Sequence, residues 1–300
     1  MLVLIVAVVL IPYVGSDYYL TVLTIAAIWA LSAVGMTALL GGSGELNLAY
    51  GAFYGVGAYT TALALKHGIP LLPTLLLAMA VCGVLTLLMG LPLLRTRGLY
   101  YAIVTLSFAI LATDVFTEWT SVTKGSIGLT VTPVGFDWIP TYTNAVSEFN
   151  LKIYIMAWTA TVIMTAILLR LMASPFGMVV RGIGNDEELI ESLGFRAARY
   201  RLTALTTTGI VVGLSGGVYA LYIGYITPDP FTFWTAFAVV IMVVVGGRES
   251  VWGSLLAAVA LTLLPEVLRF ADAYRQIAYA AILYVVVVLS KNRIAGGVSH

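Results

Sequence analysis

Residues 174–201 read SPFGMVVRGIGNDEELIESLGFRAARYR and form the one charged, amphipathic island in an otherwise oily chain. Four acids, Asp186, Glu187, Glu188 and Glu191, stand beside Arg181, Arg196, Arg199 and Arg201. Apolar runs long enough to cross a bilayer flank the segment on both sides. The pattern predicts a loop between two membrane spans, gripped by something outside the membrane.

Composition agrees with that reading. With 61% hydrophobic and 10% charged residues, the 300-residue chain has too little polar surface to cover a soluble globule, so it falls in the multi-spanning helical membrane class. A net charge of +1 gives no support to a nucleic-acid partner. The single cysteine, Cys82, lies in the apolar run LLLAMAVCGVLTLLMG and reads as a small core- or lipid-facing residue. His67 and His300 stand alone, so no set of side chains has metal-ligand spacing, and no nucleophile constellation stands out. Residues 1–10 lack a preceding basic residue and an evident cleavage site, which argues against a cleaved signal peptide.

A spanning helix needs about 20 predominantly apolar residues. Segments 19–40, 46–65, 70–94, 98–117, 151–172, 202–224, 231–246, 251–268 and 273–290 approach or exceed that length, and a short first segment, 1–14, brings the expected number to about ten. The fold class expected is therefore all-α: a polytopic integral membrane protein of about ten transmembrane helices, short or broken ones included, forming a single transmembrane domain over 1–300. Lys and Arg are retained on the cytoplasmic side in short loops. Ten spans with both termini inside place Arg95, Arg97, Arg170, Arg181, Arg196, Arg199, Arg201, Arg248, Lys291 and Arg293 there, leaving Lys66, Lys124, Lys152, Arg269 and Arg275 outside. Segment 174–200 is then a cytoplasmic loop, and segment 118–150, with Trp119, Trp138, Tyr142, Pro133 and Pro140, an ordered external cap that a soluble partner can touch.

Within the cytoplasmic loop, Asn185 has the chemistry of an N-cap, and Glu188 three residues later has capping-box spacing. A helix starting near Asp186 carries Glu187 in its first turn and ends at Gly194, so it is about two turns long. Leu189, Ile190 and Leu193 then share one face opposite the acids. Two turns are too few to be stable alone in water. Either the helix merely joins two spans, or its apolar stripe fills a groove on a cytosolic motor subunit while the charges fix register.

The stretch around Gly41, Gly42, Gly44, Gly51, Gly55 and Gly57 also holds Glu45, Asn47 and Tyr54. An acid at membrane depth is a functional candidate because it must be paired or wetted, and Glu45, Asn47, Gly51 and Tyr54 are the candidate lining of a substrate path. Close helix packing by the glycines is the alternative, with Glu45 at the interface. Asp114 and Glu266 read as interface residues near span ends.

The segment 174–201 resembles the cytoplasmic loop of permease subunits of branched-chain amino acid ABC transporters. LLGGSGELNLAYGAFYGVGAYTTALA at 39–64, RTRGLYYAIVTLSFAIL at 95–111, KGSIGLT at 124–130 and VVVGGRESVWGSLLAAV at 243–259 resemble further signatures of that family, in the expected order. The chain departs from them at GGRES and at Lys124, where glycine is common. The resemblance implies a transport subunit of a prokaryotic plasma (inner) membrane importer. Its partners would be a second homologous permease, two cytosolic ATPases and an external solute-binding protein. It also implies that Asn185, Asp186, Glu187, Glu188, Leu189, Ile190, Leu193 and Gly194 meet the ATPases. No GxxxxGK[ST] loop occurs in the chain, so ATP and its magnesium belong to the partners. Two rival readings are a urea or short-amide permease with the same signatures, and an ion-coupled secondary transporter in which Glu45 or Asp114 carries the coupling ion.

Overall fold

Helices dominate because an apolar surrounding leaves no water to satisfy free backbone groups, and the helix satisfies them within one segment. The computed structural model describes residues 17–131 and 148–267. In chain order the helices are α1 (Asp17–Leu40), α2 (Tyr50–Lys66), α3 (Leu71–Leu93), α4 (Gly98–Glu118), the single turn α5 (Thr120–Thr123), α6 (Glu148–Ala173), α7 (Pro175–Asn185), α8 (Glu187–Ser192), α9 (Ala197–Ile223), α10 (Phe233–Gly246) and α11 (Val251–Val267). Among the described residues five are long and apolar enough to cross a membrane: Tyr18–Leu40, Leu71–Leu93, Gly98–Glu118, Phe149–Ala173 and Ala197–Ile223.

That number corrects part of the expectation of about ten. Segments 231–246 and 251–268 are two short helices, Phe233–Gly246 and Val251–Glu266, bent by 120° at a short break, so together they make at most one further span or a re-entrant hairpin. Their turn depends on Gly246 and Gly253, where a Cβ on Gly246 would overlap the Gly253 carbonyl group. Segments 1–14 and 273–290 lie outside the described residues, as do Arg269, Arg275, Lys291, Arg293 and, in the external cap, Pro133, Trp138, Pro140 and Tyr142. A two-stranded antiparallel ladder, β1 (Leu129–Thr130) with β2 (Tyr225–Ile226), is a small exception to the all-helical reading. It ties the chain after α4 to the end of α9.

The centre of the bundle is α2, 17 residues long and buried along most of its length. At 1.5 Å per residue it is only ~25 Å long, and it is wrapped by α3, α4, α9 and α10 instead of facing outward. Small residues set the spacing. A Cβ on Gly57 would overlap the Gly213 carbonyl oxygen, and one on Gly216 would overlap the Tyr54 carbonyl oxygen, so the backbones of α2 and α9 touch. Cys82 is buried in α3 with its Sγ 3.3 Å from the Phe53 carbonyl, the core-facing position expected. Hydroxyls fasten α1 to its neighbours: Ser32 to Ser215 at 2.8 Å, Thr208 to the Gly35 carbonyl at 3.0 Å and Thr161 to the Ala27 carbonyl at 3.0 Å.

α3 and α4 differ from this centre. Leu72, Leu76, Val84, Leu88 and Leu91 on α3, and Leu99, Tyr100, Ile103 and Leu111 on α4, are exposed, the aliphatic surface a bilayer requires.

Two substitutions test this packing. Gly57→Leu sets a side chain against backbone that cannot swing away, and is expected to destabilise by at least the 1–3 kcal/mol of ordinary overpacking, read as a lowered melting temperature in detergent. Lys124 is the one non-glycine residue with positive φ among the described residues, at 64°. Lys124→Gly, which removes a left-handed strain of about 1–2 kcal/mol against a partly offsetting loss of chain stiffness, is expected to leave the melting temperature unchanged or raised, whereas Lys124→Val is expected to lower it.

Candidate functional site

Segment 174–201 folds as two helices instead of one. Pro175 occupies the first position of α7, where its missing N–H is no loss. Val179 and Ile183 on α7 pack with Ala197 at the start of α9 in a small core of their own, joined by Ile190 and Tyr200. Arg181 donates to the Met172 carbonyl at 2.9 Å, tying α7 back to the end of α6. The spacing of Phe176, Val179, Val180 and Ile183 after a Ser-Pro start was the signal for α7, which the sequence reading passed over in favour of α8.

The cap of α8 is Asp186, not Asn185. The Leu189 backbone N–H donates to Asp186 Oδ1 at 2.9 Å, while Asn185 closes α7. With Asp186 as cap, Glu188 falls on the second helical position and Leu189 on the third, so the capping box does not form. The other end matches expectation. Gly194 has φ +90°, its N–H donates to the Glu191 carbonyl at 3.0 Å and the Phe195 N–H donates to the Ile190 carbonyl at 3.3 Å, the paired bonds of a glycine-terminated helix.

The expected apolar stripe is divided. Ile190 turns into the core beneath α8, whereas Leu189 and Leu193 are 55% and 64% exposed, with Phe195 and Met178 exposed nearby. One residue docks the helix on its own chain, and two remain outward.

A chain of charges runs inward from α8. Arg97, before α4, donates to Glu187 at 3.0 Å, and Arg201 on α9 stands 3.7 Å from the same carboxylate. Arg201 also pairs closely with Glu45, in the connection between α1 and α2, and donates to the Thr96 carbonyl at 2.9 Å. Side-chain exposure ranks these contacts: 61% for Arg97 and 15% for Glu187, against 5% for Arg201 and 9% for Glu45. The outer pair is worth at most about 1 kcal/mol, whereas removing one partner of a buried pair costs about 3–5 kcal/mol by leaving the other charge uncompensated. Burial pushes the Glu45 carboxyl above its ordinary pKa range, and the Arg201 guanidinium pulls it back.

The pair borders a cleft of about 460 Å³ lined also by Ser43, Gly184 and Arg248. Arg248, in the α10–α11 turn, reaches the Gly44 carbonyl at 3.4 Å. Connections α1–α2, α3–α4 and α10–α11 thus converge with α7, α8 and the start of α9 at one end of the bundle. The arginines of the positive-inside argument that sit in these connections gather there.

The four residues of the expected substrate path do not form one site. Glu45 borders the cleft. Asn47 is buried and accepts from the Ala49 N–H at 2.9 Å, a local side-chain turn before α2. A Cβ on Gly51 would overlap the Thr232 carbonyl oxygen, which is the packing alternative. Tyr54 sits in an aromatic cluster with Tyr50, Tyr219 and Phe231, at ring-centroid distances of 6.0, 5.3 and 5.9 Å. Sequence reasoning missed Arg201 as the partner of Glu45. The signal was available, since a lone acid at membrane depth requires a cation, but which of the loop arginines supplies it depends on the fold. Among the described residues no group of His, Cys, Asp and Glu could hold a metal ion.

Comparison with known proteins places this architecture. The profile of the family described as "Branched-chain amino acid transport system / permease component" matches residues 18–290. The high-affinity branched-chain amino acid transport system permease protein LivM of Salmonella typhimurium is 30% identical over 297 residues, covering 92% of this chain and 70% of that protein. The protein of the same name from Escherichia coli is 29% identical over 297 residues, with the same coverage. No solved structure matches the chain. A family match across almost its whole length, together with helices of bilayer-crossing length and composition, makes this chain an integral membrane protein belonging to the branched-chain amino acid transport system permease family.

Proposed function

We propose that the chain is the membrane-spanning subunit of an ATP-driven importer that passes branched-chain or related amino acids inward by alternating access. In this reading about ten helices, short and broken ones included, sit in a prokaryotic inner membrane with both termini in the cytoplasm. The chain pairs with a second homologous permease, two cytosolic ATPases dock beneath it, and an external binding protein delivers the solute. ATP and magnesium are bound by the ATPases, and this chain performs no hydrolysis.

The observation that carries the reading is the architecture of α8. It is capped at both ends, presents Leu189 and Leu193 outward, and is joined by charge to the interior through Glu187, Arg201 and Glu45. A linker helix needs no such exposed apolar pair. Two leucines beside Asp186, Glu188 and Glu191 fit a groove that is apolar at its floor and basic at its rim. Movement of the docked ATPases would act on α8 and switch the access of the cavity. Substrate class follows the relatives' printed names. An ion-coupled mechanism through Glu45 is disfavoured because that carboxylate is held by buried Arg201.

The test is purification from native membranes in mild detergent with identification of what accompanies the chain. Two ATPases and a second permease are expected; recovery of the chain alone, with uptake driven by an ion gradient, overturns the reading. Leu193→Asp places an uncompensated charge in the docking groove and is expected to reduce ATPase recovery at least tenfold, the equivalent of about 1.4 kcal/mol, while the amount of protein in the membrane stays unchanged.

A further inference from the structure

Arg201 holds three segments at once: the α1–α2 connection through Glu45, the α3–α4 connection through the Thr96 carbonyl at 2.9 Å, and α8 through Glu187 at 3.7 Å. Glu187 is shared, since Arg97 donates to it at 3.0 Å. Two carboxylates therefore compete for one buried guanidinium, one on the body of the bundle and one on the helix exposed to a partner. Steric contact backs the charge. A Cβ on Gly184, in the last turn of α7, would lie 2.5 Å from the Gly42 carbonyl oxygen, and one on Gly42 would lie 2.5 Å from Val180. The end of α7 thus rests directly on the connection that carries Glu45. On its other side the pair faces the cleft of about 460 Å³, so the charges have room and water to rearrange when the segment shifts.

An apolar contact of the same volume would join these elements at lower desolvation cost. What an ion pair adds is a choice between discrete partners, the property a two-position element requires.

We infer that Glu45 and Arg201 are positioning residues that transmit movement of α7 and α8 to α1 and α2, with Arg201 exchanging between Glu45 and Glu187 as the cytoplasmic segment moves. The inference rests on the proposed docking of ATPases at α8. Glu45 serves as a mechanical anchor and not as a contact for the solute.

The experiment uses the complete complex purified with its ATPases and carrying Leu46→Cys, a thiol lining the cleft beside the pair; the native Cys82 is buried in the core and contributes little background. Alkylation of the introduced thiol is followed with and without ATP. With the pair intact the rate is expected to change severalfold on ATP addition, and Glu45→Gln is expected to abolish that change and lower leucine uptake per ATP hydrolysed about tenfold, within the usual range of coupling between sites. Glu45→Asp, which keeps the charge, is expected to retain the ATP response. An ATP response in Glu45→Gln equal to that of the intact pair overturns the linkage, as does equal loss in Gln and Asp variants or a fall in uptake matched by an equal fall in hydrolysis. If ATPases are present but alkylation never responds to ATP, the linkage alone fails. If no ATPases accompany the chain, the functional reading fails and the linkage with it.

Discussion

The structure depends on the contact between the backbones of α2 and α9. Gly57 against Gly213 and Gly216 against the Tyr54 carbonyl remove every side chain from the crossing, so the two helices approach as closely as helices can. In an apolar surrounding, little hydrophobic force drives one helix onto another, and close packing with a few hydrogen bonds must hold the bundle instead. With α2 and α9 joined, α1 and α3 are held against α9 by glycine contacts at Gly35, Gly83 and Gly209. The segment after α9 is positioned by the same rule, since Gly51 and Gly55 admit Thr232 and Phe231 against α2.

A bundle closed this tightly moves most easily where packing gives way to loops, and its buried ion pair lies there. At the cleft end, three connections meet two short helices, and polar contacts replace apolar ones. Buried charge is expensive unless paired, so Glu45 and Arg201 fix each other's location as firmly as the glycines fix the helices. The opposite end is held differently, by the β1–β2 ladder and the Val131 N–H on the Gly224 carbonyl at 2.9 Å. The two ends therefore differ in kind among the described residues: one is held by a backbone ladder, the other by a set of ion pairs with alternatives.

Much of the helical layout was legible because its signal is local. Segments 19–40, 70–94, 98–117 and 151–172 coincide with α1, α3, α4 and α6 to within a few residues, since apolar length is a property of the segment itself. The reading of 231–246 and 251–268 as two separate spans failed for a reason that is not local: composition reports that a segment is oily, not how sharply the chain turns between two oily segments. Glycine at Gly194 was interpretable because its positive φ is a requirement of the helix end. Asp186 displaced Asn185 as the cap because α7 extends through Asn185, and that helix draws its stability from a core shared with Ile190 and Ala197.

The amino-acid sequence by itself determined that this chain lives in a membrane, which of its segments are helical, which family it belongs to, and that residues 174–201 form a charged island between apolar segments. These follow from hydropathy, residue spacing and motif order, all of which are one-dimensional. Only the tertiary structure decided which arginine neutralises Glu45, that Ile190 faces inward while Leu189 and Leu193 face outward, and that Asn47, Gly51 and Tyr54 belong to the packed interior while Glu45 belongs to the cleft. Glu45 and Arg201 are more than 150 positions apart in the chain, and no periodicity relates them. Their pairing exists because glycine contacts bring the ends of α1 and α9 together, and a buried carboxylate there is stable only beside the cation that the fold delivers.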